Sequence, residues 1–90
     1  SAFYSWRKEE ALMKFEGIKD QYGRKYSNLK ELKNDDDLKG YNCGAYIDGY
    51  DYMPILISFQ KSLSKGGDIM YYVEVDYYNH RTDNLYDDEI

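Results

Sequence analysis

Residues 69 to 78, IMYYVEVDYY, alternate so regularly that they read as one β-strand with two unlike faces. Ile69, Tyr71, Val73, Val75 and Tyr77 fall on one side, and Met70, Tyr72, Glu74, Asp76 and Tyr78 on the other. The first set is a core face. The second mixes phenols with carboxylates, which suits a sheet covered on one side only and therefore an antiparallel arrangement. Two further runs have strand character, YNCGAYI (41 to 47) and PILISFQ (54 to 60). In the latter, Ile55, Ile57 and Phe59 share a face while Leu56, Ser58 and Gln60 share the other. Proline donates no ladder hydrogen bond, so Pro54 is expected to open its strand or lie at an edge. The separators are turn-like: DGYD between the first two runs and SKGGD before the third, where Gly66-Gly67 can supply the positive φ of a tight hairpin.

The beginning of the chain has a different period. Tyr4, Ala11, Phe15, Ile18 and Tyr22 follow one another at steps of seven, four, three and four, the stripe of an amphipathic helix, with Trp6 and Leu12 on its flanks. Glu9 and Glu10 sit where the helix dipole favours anions, and Ser5 and Gly23 supply a cap at each end. The spacing predicts a helix over about 5 to 22. Gly17 within it costs about 1 kcal/mol against alanine, for which close packing on a sheet is the expected reason. Residues 24 to 40 read as a connector with a short helical turn at 28 to 33, and residues 81 to 90 as a polar tail.

These elements make an α+β fold: one N-terminal amphipathic helix packed on an antiparallel β-meander of three to four strands over 41 to 80. At 90 residues the chain is expected to form a single domain, 1 to 90. The element order is similar to that of the cystatin and monellin type, in which a helix crosses a curved antiparallel sheet. The inhibitory motif of the cystatins is absent, so the resemblance covers element order and assigns no residue a role.

Charge narrows the class of partner. Residues 1 to 40 carry 9 Lys/Arg against 8 Asp/Glu, net +1, whereas residues 41 to 90 carry 3 against 9, net −6, giving −5 for the chain. Nine of the twelve tyrosines lie in that acidic half. An acidic surface does not displace counterions from phosphates, which argues against direct nucleic-acid binding and for a basic protein partner. No apolar run nears the roughly 18 residues of a membrane span, so no membrane association is expected. The lone Cys43 rules out an internal disulfide, which favours a reducing, cytoplasmic compartment; an extracytoplasmic location fits if the chain is a trimmed piece.

Catalytic and metal patterns are weak. A calcium loop starting at Asp35 would put Gly40 at its sixth position, but Lys39 and Tyr46 then occupy ligand positions five and twelve. Cys43 shares strand parity with Ala45 and Ile47 and is expected in the core, while His80 follows the last strand among polar residues; the two are not expected to form a site. Zinc would require further Cys or His ligands. Glu74 and Asp76, two apart on a strand, are about 6.5 to 7 Å from each other, a spacing shared with inverting glycoside hydrolases. No metal, cofactor or catalytic residue is expected.

What remains is the face of Tyr72, Glu74, Asp76 and Tyr78, joined by Tyr46 and Asp48 from another strand, as a docking surface. Tyrosine gives large contact area at low entropic cost, and adjacent carboxylates steer a cationic partner. The expected function is an inhibitor or immunity-type protein, of the kind bacteria and phages use, that occludes a basic, nucleic-acid-handling partner. The alternative is a ligand-binding or interaction domain of a larger or secreted protein, and the third a small hydrolase using the paired carboxylates. A homodimer is compatible with either of the first two.

Overall fold

The computed structural model describes residues 2–78; His80 and the polar tail of 81 to 90 lie outside the described residues. The elements run β1 (Ala2–Ser5), α1 (Lys8–Lys25), β2 (Asn28–Asn34), β3 (Lys39–Ile47), β4 (Tyr50–Leu63) and β5 (Ile69–Tyr77). All five strands join one antiparallel sheet in the order β1-β5-β4-β3-β2. From β2 to β5 the sheet is a meander; β1 crosses to the far edge and pairs with β5, with α1 spanning the distance between. The fold is α+β as expected, with five strands in place of three to four.

α1 contacts β1, β3, β4 and β5 on one face of the sheet. Ala11 and Phe15 from its stripe are fully buried against Cys43, Ile55, Ile57, Phe59, Val73 and Val75. Phe15 sits between two aromatic rings, 6.1 Å from Tyr41 and 6.2 Å from Phe59 by ring centroids. Leu12, Ile18 and Tyr22 complete the packing surface. On β5, Val73 and Val75 are buried as the alternation requires, but Ile69 and Tyr77 at its two ends are exposed.

The helix occupies Lys8–Lys25 instead of 5 to 22, because the first residues have a stronger alternative. Phe3 pairs with Val73 and Ser5 with Tyr71, so Ala2–Ser5 gain a ladder and bury Phe3 inward. Tyr4 thereby leaves the helical stripe for the opposite sheet face. Ser5 is not the N-cap; Arg7 holds that place without a side-chain cap. The Ser5 hydroxyl instead accepts the Arg7 N–H at 3.0 Å and donates to Glu10 at 2.5 Å, bracing the first turn from the strand. Gly23 does not end the helix, which runs to Lys25 with Tyr26 N–H bonded to Tyr22 C=O at 2.9 Å. Gly17 is exposed, and a Cβ there would meet nothing within 4 Å, so close packing is not its reason.

Residues 28 to 33 form no helical turn; they belong to the edge strand β2, paired with β3 through a bulge between Glu31 and Lys33. Lys30 and Lys33 on this strand deter further strand addition. Pro54 lies inside β4, a central strand, and not at its start. A bulge makes this tolerable: Cys43 pairs with Ile55 and Ala45 with Tyr52, so Met53 and Pro54 both face Gly44. A Cβ on Gly44 would run into the Tyr52 carbonyl oxygen and lie 2.8 Å from Pro54 Cδ, which is why glycine stands there. Beyond the bulge β3 and β4 turn through Asp48 (φ 52°) and Gly49 (φ 86°), a two-residue hairpin with both central residues left-handed. The β4–β5 hairpin turns through Gly67 (φ 89°), whose N–H bonds Ser64 C=O at 3.0 Å.

Candidate protein-docking face

The parity that buries Val73 and Val75 under α1 directs Tyr72, Glu74 and Asp76 to the other side of the sheet. Register fixes their neighbours there. Tyr72 lies opposite Gln60 and Tyr4, Glu74 opposite Ser58 and Ala2, and Asp76 opposite Leu56. Tyr72, Glu74 and Asp76 are half-buried by one another and by these neighbours, and Tyr78 beyond them is 45% exposed.

A chain of contacts orders the face. The Tyr4 and Tyr72 rings stack 5.5 Å apart at 26°. Tyr72 Oη donates to Gln60 Oε1 at 2.9 Å, which fixes the amide so that Nε2 faces Ser58 Oγ at 3.0 Å and Glu74 Oε1 at 3.4 Å. Ser58, 6% exposed, is a buried polar group with its hydroxyl satisfied by this amide. Further across, Asn42 Nδ2 donates to Ile55 C=O at 2.8 Å and Met53 C=O at 3.3 Å, pinning the sheet beside the bulge. Among the described residues no cation pairs with Glu74 or Asp76.

Tyr46 and Asp48 are brought less close. Tyr46 shares strand parity with Asn42, so it looks out on this same face, 66% exposed, but it lies past the bulge on the hairpin beyond Ala45. Asp48 occupies the turn itself, and its left-handed φ of 52° gives it a backbone role that Asp fills better than most residues. Opposite Tyr46 stands Asp51, bonded by Asn28 Nδ2 at 2.8 Å and Lys30 Nζ at 2.7 Å. The Lys30 bond holds the Asp51 carboxyl below the usual carboxylate range. This end of the face therefore carries an acid whose charge is already answered, unlike Glu74 and Asp76.

Three residues of the face escape a reading of sequence alone: Tyr4, Ser58 and Gln60. The parity of β4 already groups Ser58 with Gln60, but only register sets them against Glu74 and Tyr72. Tyr4 is hidden by its fit to the helical stripe.

The groups weighed for chemistry lie elsewhere. Cys43 is buried in the core, and burial pushes its thiol pKa up, away from a nucleophilic thiolate. Of the acidic turn, Asp37 is held by Lys61 Nζ at 2.8 Å and Lys8 Nζ at 3.7 Å, and the Lys61 bond lowers its pKa. No group of three or more potential metal-ligating side chains occurs among the described residues, and no helix there is long and apolar enough to cross a membrane. No protein-family model, curated protein or solved structure matches the chain.

Proposed function

We propose that this chain is a small acidic binding module that blocks a basic protein, one that handles nucleic acid, by laying the face of Tyr4, Tyr72, Glu74, Asp76 and Tyr78 across its phosphate-binding surface. One observation carries the reading: two carboxylates without ion-pair partners among the described residues stand between tyrosines on the sheet face that α1 leaves uncovered. Glu74 and Asp76 take the places of successive phosphates, the tyrosines supply apolar contact area, and the Gln60 amide holds Tyr72 and Glu74 in one arrangement before the partner arrives. In this reading the chain acts by occupancy, and no cofactor takes part.

The test is a capture experiment from the native host run in parallel with wild type and Glu74→Lys/Asp76→Lys. Basic nucleic-acid-handling proteins retained by wild type and lost with the double variant are the expected result. Each retained protein is then assayed for inhibition of its own nucleic-acid reaction. Equal retention by both proteins, or retention without inhibition, overturns the proposal.

A further inference from the structure

On the helix side of the sheet, a cavity of about 230 Å³ lies between α1, β1 and β5, lined by Ala2, Phe3, Lys14, Ile18, Val73 and Val75. The pocket is open to solvent on one side, and its volume exceeds the roughly 150 Å³ that holds a benzene-sized guest in an enclosed apolar cavity. Lys14 and Ile18 stand one helical turn apart and so present the same face. The Lys14 ammonium sits 5.6 Å from the Phe3 ring centre and forms no ion pair among the described residues. Lys8 pairs with Asp37 and Lys19 with Glu16, whereas Lys25, like Lys14, lies over an aromatic ring, that of Tyr26, but does not line the cavity.

We infer that this cavity is a binding site for an unbranched aliphatic carboxylate of about six to eight carbons, its chain between Ile18 and the two valines and its carboxylate on Lys14. The side chains of Phe3, Ile18, Val73 and Val75 offer aliphatic and phenyl surface to a hydrocarbon chain, beside polar atoms that make up nearly half of the accessible lining. The single cation on one side suits a monoanion better than a phosphate, which calls for several donors. The site lies on the side of the sheet opposite Glu74 and Asp76, to which Val73 and Val75 point, and shares with the docking face only Ala2 at the sheet edge.

The test titrates butanoate, hexanoate and octanoate, each below its micellar concentration, into ¹⁵N-labelled protein. Shifts should centre on Phe3, Ile18, Val73 and Val75, and affinity should rise about three- to fourfold per methylene until the cavity is full. Lys14→Met, which keeps the aliphatic stem, should weaken octanoate about two- to fivefold and leave octanol unchanged. Ile18→Phe, which takes up cavity volume, should weaken both. Octanol and octanoate binding alike to wild type, an unchanged octanoate affinity in Lys14→Met, shifts centred on Tyr72 and Glu74, or no saturable binding would each overturn the inference.

Discussion

Gly44→Ala should cost about 3 to 5 kcal/mol of folding stability, and the sum comes from what surrounds the missing Cβ. That atom would meet the Tyr52 carbonyl oxygen and stand 2.8 Å from both Met53 Cα and Pro54 Cδ. None of these is the end of a flexible side chain, so relief requires β3 and β4 to part at the bulge. Overpacking of this kind costs about 1 to 3 kcal/mol or more. Parting the strands also strains the Asn42 amide bonds to Ile55 C=O at 2.8 Å and Met53 C=O at 3.3 Å, each worth about 1 kcal/mol. Against a total stability of roughly 5 to 15 kcal/mol this threatens the fold. Equilibrium urea unfolding, followed by circular dichroism, should show the midpoint lowered by about 3 M or more, given a slope of roughly 1 kcal/mol per molar, or no cooperative transition at all. Gly17→Ala provides the contrast. Its Cβ meets open space in a helix interior, so the same assay should show about 1 kcal/mol of added stability. A Gly44→Ala chain within 1 kcal/mol of wild type would refute the bulge geometry and the reason given for Pro54 inside a central strand.

Phe15→Ala should destabilise by about 3 to 5 kcal/mol in the same assay, because Phe15 is 0% exposed between the Tyr41 and Phe59 rings. Glu74→Lys/Asp76→Lys should fold with stability within about 1 kcal/mol of wild type, yet associate more slowly with the captured basic partner, a deficit that shrinks with added salt as steering is screened over roughly 8 Å. Tyr22 is expected to titrate late: its hydrogen bond to Tyr77 at 2.8 Å pushes its pKa up to about 12 from an ordinary 10.0. The folded state thus holds this proton more tightly, so its stabilising effect is full below pH 10 and fades as pH rises toward 12, which ultraviolet titration and alkaline unfolding of wild type and Tyr22→Phe should register. Cys43 should resist alkylation in the folded chain and react on unfolding, as mass spectrometry with iodoacetamide would show.

The sequence by itself determined the two periods that define this protein. Ala11, Phe15, Ile18 and Tyr22 can share a face only on a helix, and Val73 and Val75 can part from Glu74 and Asp76 only on a strand, so the α+β class and the two unlike faces of β5 follow from local spacing. Cys43 in the core follows in the same way. Tertiary structure alone decided where Ala2–Ser5 and Asn28–Asn34 belong. Four residues of AFYS carry too short a pattern to choose between a helical turn and a strand, and the choice fell to β5, whose edge gives Phe3 and Ser5 partners. NLKELKN has no apolar period of its own, and becomes a strand because β3 offers it a ladder. Pro54 inside β4 depends on an atom that is missing from Gly44, a residue ten positions away in the chain. The candidate face shows the same division: alternation names Tyr72, Glu74 and Asp76, but Tyr4, Ser58 and Gln60 join them only through register, a relation between segments that no single stretch of sequence contains.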